Sequence, residues 1–362
     1  MSKKINIIFA VIAVVAIVLT TVIIVFKPLG QTSSSDEGTT RNAISDGFHK
    51  INGEWIYYEN SERTDKSQAF HGTVNDMEGM WMTVNGKVDF SLNSLEKKEN
   101  SWQYVKNGAV SEKTDAEALF IMGEVLDSLS DKKEIEVFGD FEITPENMSL
   151  LQAEIDKNSA KGYELGIVVM NVNSLGGFSY NADGRIYSAS VIKGPYITSL
   201  VKSDNSLLEK ERVRIEAALI RSSNVDYESL RDTYGDDCFV NFLSATGSDF
   251  QIDTTRNFQY LTPRALANLW TASYVFFESG ETGEELGRIF EKPVISPIKN
   301  VFSDKFTTRT KAGWVVKNNI EITNDAGIVY TDNGDYVVVI MTTAPSNFKV
   351  VENLAEAIEK CL

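Results

Sequence analysis

An α+β domain with one antiparallel sheet is the fold class this sequence predicts for its larger, C-terminal part. Three observations carry it. Leu165–Val172 is an apolar run of strand length, and Gly176–Gly184 supplies a hairpin partner. Near the other end, Asp325–Tyr330 and Tyr336–Thr342 flank the turn Asp332-Asn-Gly334, and a closing helix runs from Val350 to Leu362. Between these strands the pattern is helical. Strands at both ends with helices between them imply a sheet that joins the two ends of the domain.

Taken in order, residues 5–26 are almost wholly apolar, interrupted by Asn6, Thr20 and Thr21. At about 1.5 Å per residue such a helix spans a hydrocarbon core of about 30 Å. Lys3 and Lys4 precede it, so the N-terminus is expected in the cytoplasm and the rest outside, on a single-pass anchor in the cell membrane. The alternative is a cleaved signal peptide. The long apolar run and the Lys27-Pro28 that follows favour the uncleaved anchor. Residues 1–27 are therefore read as cytoplasmic stub and anchor, and 28–46 as a polar linker.

Residues 47–112 read as aromatic β-hairpin repeats. Trp55, Trp81 and Trp102 recur among Asn-Gly pairs, the residues that tight hairpin turns demand. Two readings stand: the three rings pack as a stalk, or they stack on the sugar rings of peptidoglycan or another glycan. Residues 113–143 read as a connector with a helix at Asp115–Leu129. Thr144-Pro-Glu-Asn opens the next helix with an N-cap and a proline in its first turn.

Composition removes several functions. The net charge is −16, from 35 basic and 51 acidic residues, which disfavours nucleic acid as a partner. The only histidines, His49 and His71, precede the α+β segment, so it has no Ser-His-Asp triad and no histidine-rich zinc site. Cys238 and Cys361 are too few for a thiolate metal site; they either pair or stay free. No cofactor or metal is implied. A hydrolase here has to draw its base from Lys, Asp or Glu.

Ser190-Val-Ile-Lys193 supplies one. A Ser and a Lys three apart share a helix face, and the first turn of a helix offers free N–H groups to an oxyanion. Two further motifs follow in order, Ser222-Ser-Asn224 and Lys311-Ala-Gly313. Ser203-Asp-Asn205 spells the second motif literally. It lies at the far end of the same helix, about 20 Å from Ser190, and reads as a helix-ending turn.

With these motifs, residues 144–362 resemble the class A β-lactamase and penicillin-binding protein superfamily, which carries S-x-x-K, S-x-N and K-[ST]-G. Residues 47–112 resemble the cell-wall or glucan-binding repeats of Gram-positive surface proteins. The resemblance implies a β-lactamase/transpeptidase-like fold: an antiparallel sheet flanked by helices, with a helical subdomain. It also implies roles. Ser190 is acylated, Lys193 takes its proton, Lys311 supplies a second positive charge and attracts a substrate carboxylate, and Ser222 relays a proton to the leaving nitrogen. Asn224 holds the substrate amide or Lys193. The backbone N–H groups of Ser190 and Trp314 form the oxyanion hole, and Gly313 lets substrate approach the strand. The implied substrates are a β-lactam or a D-alanyl peptide of the cell wall.

Two departures set this chain apart. Residues 247–263 hold no Glu where class A enzymes carry the deacylating one, leaving Asp249 and Asp253 as substitutes. Ala312 stands where the family has Ser or Thr, whose hydroxyl binds the substrate carboxylate; one such bond to a charge contributes about 1.5–3 kcal/mol. The alternative function is accordingly a penicillin-binding sensor or wall-binding protein that is acylated without turnover.

Overall fold

The computed structural model describes residues 44–317 and 320–362. The expected anchor at 5–26 and most of the linker lie outside these residues. Among the described residues no helix is long and apolar enough to cross a membrane.

Nine short strands open the fold: β1 (Gly47–Ile51), β2 (Glu54–Glu59), β3 (Glu62–Arg63), β4 (Ala69–Val74), β5 (Met77–Val84), β6 (Lys87–Val88), β7 (Ser94–Lys97), β8 (Trp102–Lys106) and β9 (Ala109–Lys113). They form one antiparallel sheet in the order β1-β2-β6-β5-β9-β8-β7, with β3 on β2 and β4 on β5. The Asn-Gly pairs at 52–53, 85–86 and 107–108 all take positive φ at both positions, the geometry of two-residue hairpin turns. At Gly86 this is doubly required, since a Cβ there would sit 1.9 Å from the Thr64 carbonyl oxygen.

The three tryptophans do not form one stalk: Trp55 packs against the small core that holds Trp81, while Trp102 belongs to the main core, and two of the three are closed to sugar. Trp81 is 3% exposed, in a small core with Val74 and Val88. Trp102 is fully buried and belongs to the main core. Its indole N–H donates to Asp115 (2.8 Å), and its ring lies 6.0 Å from that of Tyr274. Trp55 is half-buried and donates to Asn75. The hairpins were built around two of these rings, so stacking through all three is ruled out by burial.

The segment 113–143 also does more than connect. The helix Asp115–Asp127 starts with a full capping box, Thr114 with Glu117, and buries Ala118, Leu119, Met122 and Leu126 in the main core. Beyond it, β10 (Glu136–Phe138) is the edge of the second sheet, which therefore begins before Thr144.

That sheet continues with β11 (Leu165–Asn171), β12 (Gly177–Tyr180), β15 (Thr307–Lys317), β16 (Ile320–Thr331) and β17 (Gly334–Thr342). The small pair β13 (Ile186–Tyr187) and β14 (Tyr260–Leu261) stands apart from it. The order is β10-β12-β11-β17-β16-β15, antiparallel throughout the pairings. The β11–β17 pair runs from Leu165↔Thr342 to Asn171↔Tyr336 and joins the two ends of the domain as expected.

Alternation sorts the side chains into two layers. Ile167, Val169, Val338 and Ile340 face a layer that includes the helices Pro145–Ser159, Pro297–Phe302 and Phe348–Glu359. Val168, Met170, Val337 and Val339 face the larger helical body, centred on Lys193–Ser203 and Pro263–Phe277. Each such aliphatic side chain contributes about 1.5–3 kcal/mol when fully buried. The consequence for function is positional: β15 is the outer strand of the sheet, and its free edge lies against the turn that carries Ser190.

Candidate active site

Ser190 lies in a single 3₁₀ turn, Ala189–Ile192, that runs directly into the helix Lys193–Ser203. The turn is entered through Ala189 at φ 44°, a left-handed conformation that costs a non-glycine residue about 1–2 kcal/mol. Neighbouring bonds hold it. The Asn324 side-chain amide on β16 donates to the carbonyls of Tyr187 (2.8 Å) and Ser188 (3.0 Å). The Ser188 N–H donates to the Gln259 carbonyl (2.8 Å), and the Gln259 N–H donates back to Ser188 Oγ (3.3 Å). Gly313 on β15 closes the arrangement. A Cβ on it would lie 2.6 Å from Ser190 N and 2.4 Å from Val191 N, so only glycine permits this approach.

The second motif sits where two helices meet, between Arg212–Ile220 and Asn224–Tyr234. Ser223 caps the later helix, accepting from the Asp226 N–H, and Ser222 takes a positive φ of 58° in the link. By contrast, Ser203 ends its own helix and Asp204 accepts from the Ser206 N–H, so the literal Ser-Asp-Asn is a turn.

Two buried ammonium groups converge on Ser222. Lys193 Nζ donates to the Ser222 carbonyl (2.6 Å) and to Asn224 Oδ1 (2.6 Å). Lys311 Nζ lies 3.0 Å from Ser222 Oγ and donates to the Ala312 carbonyl (2.6 Å). Neither ammonium is hydrogen-bonded to Ser190 Oγ; both bond at Ser222 instead. Lys193 is also flanked by the rings of Tyr227 and Phe258, at 5.6 and 5.7 Å. Burial lowers the Lys193 ammonium to about 8, against the opposing pull of Glu228 and Asp226. Burial, and then the charge of Lys193, lower Lys311 to about 7, against Asp325. With two cations so close, one proton leaves the pair more readily than it would leave a solvated lysine.

Ala312 is fully buried directly across the ladder from Asp325. Asp325 accepts from Ser296 Oγ (2.7 Å) and the Ile298 N–H (2.9 Å), and its other oxygen has no partner. Burial raises this carboxyl to about 7. Trp314 follows on β15 with its ring 5.2 Å from that of Phe348.

Neither substitute for a deacylating Glu is found bonded to Ser190 or Lys193. Asp253 is ion-paired with Arg256 (3.1 Å) and accepts from Thr255. Asp249 lines a different cavity, one that includes none of Ser190, Lys193, Ser222 or Lys311. The loop residue near Lys193 is Phe258 instead. Cys238 and Cys361 are both free. Among the described residues no group of His, Cys, Asp or Glu is placed to hold a metal ion.

Sequence reasoning therefore selected the side chains that come together at Ser222. It missed Tyr227, Phe258 and Asn324 as parts of the site. None of the three carried a local signal: each reaches Lys193 or the Ser190 turn from an element distant in sequence.

The family model described as Beta-lactamase enzyme family matches residues 212–361, a span holding the second and third motifs but not Ser190 or Lys193. No curated protein matches the chain. Among solved structures, the TLA-3 extended-spectrum β-lactamase is 16% identical, covering 58% of this chain and 97% of its own, with a TM-score of 0.48. A β-lactamase from Sphaerobacter thermophilus DSM 20745 is 16% identical over 58% and 95%, at a TM-score of 0.49. One from Chitinophaga pinensis DSM 2588 is 14% identical over 58% and 98%, also at 0.49. At these identities no residue's role passes from those proteins to this one.

Proposed function

We propose that this protein is an acyl-transferring serine hydrolase of β-lactamase type, held at the membrane by residues 5–26 with its folded part outside the cell. Its substrates are β-lactams or D-alanyl peptides of the wall. The observation that carries the reading is the meeting of Lys193 and Lys311 at Ser222, beside a strained turn that presents Ser190 against Gly313.

In this reading Ser190 Oγ attacks the substrate carbonyl and its proton passes to the neutral amine of Lys193. Burial favours the neutral form of that amine. The negative charge on the former carbonyl oxygen is received by the backbone N–H groups of Ser190 and Trp314. Ser222 Oγ hands its proton to the leaving nitrogen as the carbon–nitrogen bond breaks and takes one from the Lys311 ammonium 3.0 Å away, so the proton gained by Lys193 is matched by one lost from Lys311. Asn224 holds Lys193, and Lys311 draws the substrate carboxylate. An ester-linked acyl group on Ser190 remains.

A second reading is favoured by one observation. Of the two acidic residues of the 247–263 segment, Asp253 is ion-paired with Arg256 and Asp249 lines a cavity that does not include Ser190. Acylation without efficient turnover, as in a penicillin sensor, follows from that. The test is to incubate the protein with a fluorescent penicillin and a chromogenic cephalosporin. Covalent label without colour supports the sensor, and colour lost in Ser190→Ala supports the hydrolase. Neither label nor colour would refute the β-lactam reading.

A further inference from the structure

Three buried ionisable groups around the third motif have no ion pair among the described residues. Lys193 and Lys311 donate only to uncharged acceptors: the Ser222 and Ala312 carbonyls, Asn224 Oδ1 and Ser222 Oγ. Asp325 is the third, 0% exposed, and its hydrogen bonds come from the uncharged Ser296 Oγ and Ile298 N–H. The other buried acid, Glu211, is already paired with Arg214.

Strand alternation places these groups on the two faces of one strand pair. Thr310 and Ala312 face the helix Pro297–Phe302, where Thr310 Oγ1 donates to Ser296 Oγ (2.8 Å) and Asp325 stands across from Ala312. Lys311 and Gly313, of opposite parity, turn toward Ser222 and Ser190. Asp325 therefore lies beneath the motif, next to Ala326, the ladder partner of Lys311. The Ser296 hydroxyl is fully used. It accepts from Thr310 Oγ1 and the Lys299 N–H (3.0 Å), so its one proton goes to Asp325 (2.7 Å) and favours the ionised carboxylate.

The other charges on the elements packed around Asp325 are engaged elsewhere. Lys299 Nζ goes to the Pro293 carbonyl, Arg309 to Glu278 and Glu291, Glu352 of the closing helix to Asn300 and Lys349, and Arg264 to Asp183. β17 presents Ile340. The cation whose charge bears on Asp325 is Lys311, and each eases the other's ionisation against burial. On the far face Glu228 and Asp226 act on Lys193.

We propose that Asp325 is a positioning residue for acyl transfer: its charge, acting across the sheet, keeps the proton shared by the two lysines on Lys311 and leaves Lys193 as the free base. On the reading of Lys193 as base and Lys311 as acid, which this assignment rests on, acylation then begins with one proton ready for Ser222 and one amine ready for that of Ser190.

The test compares wild type, Asp325→Asn and Ser296→Ala as full chains in detergent. Asparagine can keep the bonds from Ser296 and Ile298 and removes the charge. Lysine side chains labelled with carbon-13, assigned through Lys193→Arg and Lys311→Arg, are followed by NMR from pH 5 to 10. The Lys311 resonance is expected to titrate about one pH unit or more lower in Asp325→Asn, a loss of about tenfold or more in proton affinity. Ser296→Ala keeps the carboxyl but withdraws a bond that favours its charge, so its shift has the same sign and is smaller; it serves if Asp325→Asn does not fold. With fluorescent penicillin, Asp325→Asn is expected to acylate about tenfold more slowly at its plateau. The rise of its pH profile moves to lower pH, because the doubly protonated pair has lost its countercharge. A Lys311 titration unchanged in the variants would overturn the proposal, and so would slowed acylation with an unmoved rise, the mark of a merely structural loss. The lysine titrations need no substrate, so a shifted Lys311 in a protein that penicillin does not acylate would refute the hydrolase reading alone.

Discussion

Replacing Gly313 by alanine tests the geometry around Ser190 most sharply. The added Cβ would lie 2.4 Å from Val191 N, 2.6 Å from Ser190 N and 2.9 Å from the Ser188 carbonyl oxygen. Ordinary contact begins near 3.4 Å, so β15 and the turn that carries Ser190 have to separate by about 1 Å. All three neighbours are backbone atoms, so no side chain can swing away. The turn cannot yield alone either, because Asn324 and the reciprocal Ser188–Gln259 bonds pin it. Overpacking of this kind costs about 1–3 kcal/mol of stability. A shift of about 1 Å between the attacking oxygen and the groups that receive the oxyanion costs about 100-fold in rate. The assay is the acylation rate with fluorescent penicillin, alongside the thermal unfolding midpoint, for the wild type and Gly313→Ala. Acylation within about threefold of wild type at an unchanged midpoint would show that β15 does not abut Ser190, and the argument would fail.

Three further outcomes are expected. Because burial holds Lys193 near 8 and its neutral form is the base, the acylation rate should climb from pH 6 through 8 and level off above about 9; a flat profile over pH 6–9 would exclude that role. Trp102→Ala should destabilise the protein by about 3–5 kcal/mol in denaturant titration, since it empties a fully buried site shared with Tyr274 and leaves Asp115 without its indole donor, and a loss below about 1 kcal/mol would contradict the packing described. Asp253→Asn and Asp249→Asn should leave the release of bound penicillin within about twofold of wild type, and a large slowing in either would identify a deacylating base.

What the sequence showed depended on whether the signal was local. Ser190 and Lys193 share one helical turn. The choice of Ser222 over Ser203 follows from the rise of a helix, and the Asn-Gly turns follow from positive φ. The alternation along β11 and β17 decided which faces of the sheet are covered. Long-range partners were not legible. Phe258 reaches Lys193 from a loop more than sixty residues on, and nothing in its own neighbourhood marks it. The three-residue strand β10 is too short for an alternation to show. The helix Asp115–Asp127 read as a connector because its amphipathic face gives no hint that Pro263–Phe277 lies opposite. Trp102 looked like its two repeat partners in sequence, yet it closes the seam to the main core through Asp115 and Tyr274. The Asp325 carboxyl behind Ala312 was likewise invisible until β15 and β16 were set in register.

Peptide-level mass spectrometry after incubation with a penicillin tests the central claim most directly. The account predicts one acyl adduct, on the peptide containing Ser190, absent in Ser190→Ala and formed far more slowly in Lys193→Ala and Lys311→Ala. An adduct mapped to another residue, or one that persists undiminished in Ser190→Ala, would contradict it.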